Sequence, residues 1–153
     1  MRRVTISLAI AAALMSSAAQ SAPRCSPPGA AKDVEAVVRA WFAAFARQDF
    51  AGGYALQAPQ FYAYDGGKRY DGVALGELLR TAKATGTIVE WNLHDIDVHV
   101  ACDQGWAAWV NTGAAGKADA MTPVTWLESA VLSYRDGRWS MEFLHSDRVH
   151  LPR

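Results

Sequence analysis

The chain has 153 residues, with 15 basic and 15 acidic side chains for a formal charge of zero, and 51% of it is hydrophobic. That length carries one ordinary domain, and the mix of apolar and charged residues excludes a disordered or collagen-like chain. A neutral balance also argues against nucleic acid as a partner, because such affinity comes largely from lysine and arginine neutralising phosphates.

The chain opens on Met1-Arg2-Arg3, followed by an apolar run from Val4 to Met15 and small residues from Ser16 to Ala22. This is the order of a cleavable secretory signal, and the run is short of the roughly 20 residues a membrane-spanning helix needs. Residues 1–22 are therefore read as a signal peptide, with the cut favoured after Ser17-Ala18-Ala19 because Pro23 disfavours one directly after Ala22. The expected location is periplasmic or secreted, with no membrane association once the signal is gone. Residues 23–31 read as a linker arm and 32–153 as the folded domain. In an oxidising compartment Cys25 and Cys102, the two cysteines of the chain, have one possible pairing. That disulfide would tie down the arm and contribute up to roughly 4 kcal/mol through loop closure.

Helices come next. After Asp33 as N-cap, Val34, Val37, Val38, Trp41, Phe42 and Phe45 recur at helical spacing, predicting a helix to about Gln48. Asp49 caps a shorter helix, Phe50 to Ala58, stopped by Pro59. A short strand near Phe61–Tyr64 and a Gly66-Gly67 turn precede a third helix, Val73 to Thr85, with Leu75, Leu78, Leu79 and Ala82 as its buried stripe. The remainder reads as strands: Ile88–Ala101, Trp106–Ala115, Val124–Tyr134 and Arg138–Leu151. Helices grouped before hairpin-linked strands indicate an α+β domain with an antiparallel sheet.

Asp136-Gly137 is the pair that a two-residue type I′ hairpin prefers. Closing the chain there sets Tyr134 opposite Trp139, Leu132 opposite Met141, Ala130 opposite Phe143, Glu128 opposite His145 and Trp126 opposite Asp147, all on one face. That face begins apolar, as core, and ends in three ionisable groups beside a tryptophan, the pattern of a pocket wall. The opposite face would carry Leu127, Val131 and Leu144 beside serines.

The layout resembles the nuclear transport factor 2-like superfamily, and within it the SnoaL-like and ketosteroid-isomerase-like proteins. The resemblance is carried by Val37-Val38-Arg39-Ala40-Trp41-Phe42-Ala43-Ala44-Phe45 running into Gln48-Asp49-Phe50, by Tyr70-Asp71-Gly72, and by Leu127-Glu128-Ser129, Asp136-Gly137-Arg138-Trp139 and Leu144-His145-Ser146. It implies a cone, a strongly curved sheet wrapped around three helices with an apolar cavity inside, often dimeric through the sheet. It also implies that Asp65 stands where ketosteroid isomerases carry their general base and Trp41 where they carry an oxyanion-binding tyrosine. An indole N–H can donate a hydrogen bond but cannot act as that acid, which speaks against steroid isomerisation. The His145-Ser146 ending is similar to that of the association domain of calcium/calmodulin-dependent protein kinase II.

The expected catalytic candidates are His145, Glu128 and Asp65. A histidine beside a carboxylate suits general acid–base work. Trp41, Tyr62, Tyr64, Trp126 and Asp147 are the expected pocket residues. His94, Asp95, Asp97 and His99 count like metal ligands, but strand alternation places 95, 97 and 99 on one face and 94 on the other, so neither a metal nor any cofactor is expected. Three functions fit: an exported protein binding a small apolar or aromatic molecule; a cofactor-free lyase, isomerase or hydrolase; and a homo-oligomeric interaction module. A homodimer is the expected assembly.

Overall fold

A computed structural model describes residues 31–149. The expected signal peptide, most of the expected linker arm with Cys25, and the last four residues lie outside them. The order is α1 (Ala31–Ala46), α2 (Phe50–Ala55), β1 (Gln57–Asp65), β2 (Lys68–Asp71), α3 (Gly72–Ala84), β3 (Ile88–Ala101), β4 (Gln104–Lys117), β5 (Ala120–Arg135) and β6 (Arg138–Arg148). The strands form one curved, unclosed sheet in the order β2-β1-β6-β5-β4-β3. All neighbours are antiparallel except β1 and β6. These two are far apart in the chain, so no hairpin dictates their direction.

The apolar stripe of α1 lies in the concave side of the sheet. Val34, Val38, Trp41, Phe42 and Phe45 are buried there against Ala107, Trp109, Leu132, Trp139 and Met141. Asp33 lies inside the first turn of α1 and not at its cap. Helix α2 is capped by Asp49, whose carboxylate accepts from the Gly52 N–H at 2.9 Å. It ends at Ala55, three residues before the expected stop, and Pro59 falls inside β1 where pairing to β6 is irregular. Such a place tolerates a residue that cannot donate to a ladder. Asp71 caps α3 by accepting from the Ala74 N–H at 2.8 Å.

The hairpin closes as expected, with φ of 52° at Asp136 and 80° at Gly137. Tyr134–Trp139 and Leu132–Met141 pair as read from the turn. Beyond them β6 contains a bulge at Glu142, and the register moves by one residue. From there Val131 pairs with Phe143, Ala130 with Leu144, Ser129 with His145, Glu128 with Ser146 and Trp126 with Arg148. A one-residue slip exchanges the faces of a strand. His145 and Asp147 are therefore exposed on the convex side, and Phe143 stands there too, while Leu144 and Ser146 are buried on the concave side.

The bulge has partners on the convex face. The Glu142 carboxylate accepts from the Ser133 hydroxyl and, at 2.6 Å, from Gln60 Nε2, with Arg135 at 3.7 Å. Phe143 packs against Tyr62 and Tyr64, with ring centroids 5.0 and 6.0 Å away. A second bulge, at Asp95 (φ 50°), interrupts β3. It corrects the faces expected for that strand: His94, bonded to the Thr112 hydroxyl at 2.7 Å, shares the convex side with Asp97 and His99.

Candidate functional site

A cavity of about 250 Å³ opens between α1, α3 and the concave side of the sheet. Its walls include Trp41 and Phe42 of α1, Trp91 of β3, Trp126 of β5 and Leu144 of β6. A further wall is α3. Of its expected buried stripe only Leu75 is fully buried, and Leu75, Leu78, Leu79 and Ala82 all line the cavity. The periodicity was that of a cavity wall as much as of a core. Along the same helix a second hollow of about 380 Å³ shares Leu79, Ala82, Thr87, Val89 and Trp91 with the first.

Two carboxylates reach this cavity from one transverse row of the sheet. Asp65 pairs with Ser146, and Ser146 with Glu128, across β1, β6 and β5. With neighbouring strands about 4.8 Å apart, Ser146 spaces the acids by two strand widths. The next row carries Arg148 and Trp126, the guanidinium standing 5.8 Å from the indole centroid.

Glu128 is buried and tightly held. One carboxylate oxygen, Oε2, accepts from Trp109 Nε1 at 2.7 Å and from Asn111 Nδ2 at 2.8 Å; the other accepts from the Ser146 hydroxyl at 2.8 Å. The Asn111 amide cannot flip without loss, because its Oδ1 accepts from the Asn92 N–H at 2.9 Å. Burial pushes the Glu128 carboxyl above its ordinary range. The Asn111, Ser146 and Trp109 donors pull it back, and the charge of Asp65 adds to the rise. Asp65 is raised too, first by burial; Arg148 opposes this, Asp147 adds to it, and the Gly66 N–H opposes it.

The structure thus brings together Asp65, Glu128, Trp41 and Trp126. It separates the expected Glu128–His145 pair, since His145 faces the opposite side of β6. Tyr62, Tyr64 and Asp147 are also on the convex face and do not line the cavity. The bulge is the reason for His145 and Asp147; for the two tyrosines it is simple alternation, which turns Phe61, Ala63 and Asp65 inward instead. Ser146 and Arg148 were hidden by the same slip. Asn111 had a visible signal: it shares the parity of Ala107 and Trp109, a polar residue on an otherwise apolar strand face.

Residues 34–147 match the SnoaL-like domain family. The chain belongs to that family. Solved structures carry the same fold within the nuclear transport factor 2-like superfamily. A ketosteroid isomerase-like protein from Erwinia carotovora atroseptica superposes with a TM-score of 0.65 at 16% identity, covering 78% of this chain and 96% of the other. A nuclear transport factor 2-like protein from Cytophaga hutchinsonii gives 0.67 at 9% identity, with coverage of 79% and 99%. The hub homology domain of calcium/calmodulin-dependent kinase II from Chlamydomonas reinhardtii gives 0.66 at 17%, with coverage of 80% and 99%. No curated protein matches the sequence. At these identities the likeness establishes the fold, and chemistry must come from the site.

Asp65 provides a direct test of the site's electrostatics. A carboxyl whose pKa is raised on folding makes the native state the better proton binder. Its stabilising contribution is then full below the ordinary value of 3.8 and is lost as pH rises through the folded value. Asp65→Asn is therefore expected to melt higher than the parent chain at pH 7, with the gap closing toward about pH 4. Paired thermal melts across that range check the sign; a lower melting temperature for Asp65→Asn at pH 7 would show that attraction to Arg148 outweighs burial.

Proposed function

We propose that this SnoaL-like domain is an exported small-molecule-binding protein whose cone cavity takes a compact, mostly apolar ligand. The observation that carries the reading is the cavity itself, with indole and aliphatic walls and two acids, buried Glu128 and half-buried Asp65, converging on one side. An apolar hollow with a few convergent polar groups is the usual form of a ligand site. The Trp41 indole N–H adds support: it is buried with no hydrogen-bond partner. Such a group costs roughly 1–3 kcal/mol until an acceptor reaches it. A thermal-shift screen of small molecules against the exported protein tests the reading. A ligand at 100 times its Kd should add about 2.7 kcal/mol of stability; a broad library without a single stabilising compound would refute it.

A second reading is a cofactor-free lyase, isomerase or hydrolase. It is favoured by the raised pKa of Asp65, which moves that carboxyl toward the range useful to a general base. In this reading Asp65 is the proton carrier and Glu128 its electrostatic neighbour, with no part for His145. Turnover of any ligand found in the screen, abolished in Asp65→Asn, would select it.

Export, the Cys25–Cys102 disulfide and a homodimer belong to the same proposal. The convex face supports the dimer by exposing Leu127 (55%), Trp106 (46%), Tyr64 (44%) and Val131 (36%) across neighbouring strands. One native mass spectrum of the secreted protein reads all three: loss of the first ~19–22 residues, absence of two thiol protons, and a mass of two chains. A full-length, dithiol monomer would contradict each part in turn.

A further inference from the structure

The cavity's ionisable groups are of unequal number. Asp65 and Glu128 face it from inside, while Arg148 stands exposed at its rim. Arg148 acts on Asp65, whereas among the described residues no lysine, arginine or histidine forms an ion pair with Glu128. Glu128 is held instead by three neutral donors. Neutral donors orient a carboxylate and partly offset its desolvation, but they do not cancel its charge, and a buried charge without a counter-ion is costly. Around the two acids stand the rings of Trp41, Trp91 and Trp126, surfaces that attract cations through their quadrupoles. The Trp126 ring already receives one cation, the guanidinium of Arg148.

We propose that the cavity selects an organic ammonium compound, its cationic head between Asp65 and Glu128 and its apolar body along Leu75, Leu78 and Leu79 of α3. The proposal rests on the small-molecule reading above and gives it a ligand class. Arg148 then acts as a resident competitor: the incoming head takes its place near Asp65 and Trp126. The hollow beyond Ala82 gives longer bodies somewhere to extend, so chain length affects affinity without changing the preference for a cation.

The test uses three probes of equal length, n-hexylamine, n-hexanol and n-hexanoate, titrated by calorimetry into the mature protein at pH 7. Hexylamine is expected to bind about tenfold or more tightly than either of the others, as a desolvated cation–π and carboxylate site provides. Asp65→Asn should remove most of that advantage while leaving hexanol binding near its parent value. Arg148→Ala, at an exposed position that can be changed without disturbing the core, should strengthen hexylamine binding severalfold. Equal binding of hexanol and hexylamine, tighter binding of hexanoate, or weaker hexylamine binding by Arg148→Ala would overturn the ammonium class and leave the small-molecule reading standing. Binding by none of the three would also overturn the ammonium class, and the thermal-shift screen then decides the small-molecule reading separately.

Discussion

Glu128→Ala is expected to lower the melting temperature by roughly 10–15 °C, corresponding to about 3 kcal/mol for a domain of this size. The loss does not come from the carboxylate's own burial, which is unfavourable. It comes from the groups that the carboxylate satisfies. Trp109 Nε1 and Asn111 Nδ2 both converge on Oε2, Ser146 Oγ meets Oε1, and all three donors lie in the buried face of the sheet. Alanine leaves them without an acceptor, and each orphaned buried donor costs about 1–3 kcal/mol. Relief of the buried charge offsets only part of this. Glu128→Gln separates the two effects. Its amide oxygen can accept from Trp109 and Asn111, and its NH₂ can donate to the Ser146 oxygen, so its stability should stay within about 1 kcal/mol of the parent. Urea unfolding of both variants measures the difference; a Gln variant as unstable as the Ala variant would mean that the negative charge itself holds the network together.

The path from sequence to this network shows where local rules suffice. The periodicity of Val34, Val38, Trp41, Phe42 and Phe45 located the face of α1 that fills the cone, because an amphipathic helix has one way to bury its stripe. Asp136-Gly137 located the hairpin because few residue pairs accept two positive φ angles. The inward direction of Glu128 and Trp126 followed from that turn and holds, since β5 alternates without interruption.

Extrapolating along β6 failed because a bulge leaves no reliable mark in a single strand. Without the bulge, Phe143 and His145 would enter the core and Leu144 would leave it. With it, Leu144 is buried, Phe143 joins Tyr62 and Tyr64, and Glu142 gains Ser133 and Gln60 as donors. That choice depends on β1, which pairs with β6 from 70 or more residues away in the chain. Such a partner is invisible to the turn chemistry at Asp136-Gly137. The consequence for function is direct. The histidine expected to partner Glu128 lies on the convex face, and Ser146, Arg148 and Asn111 take the places around the acids. Asp65, put forward on the superfamily resemblance, does line the cavity.

Gly113→Ala is the second change with a large expected effect, and here propensity and geometry predict opposite signs. Glycine inside a strand is entropically unfavourable by roughly 0.5–1 kcal/mol relative to alanine, so propensity alone favours the substitution. Gly113, however, pairs with Trp91 where β3 and β4 approach closely beside the cavity. A Cβ there would lie 1.9 Å from the Glu90 carbonyl oxygen and 3.4 Å from Trp126 Cζ3. The nearer atom is backbone, held in a ladder and unable to swing aside as a flexible side chain would. Relief requires the two strands to part, and forced backbone shifts in packed regions cost about 1–3 kcal/mol or more. Geometry should prevail, with a net loss of about 2 kcal/mol in urea unfolding. Because Trp91 and Trp126 move with their strands, ligand binding should weaken along with stability. A variant as stable as the parent would show that β3 adjusts at no cost, and that the close approach is not what requires glycine at position 113.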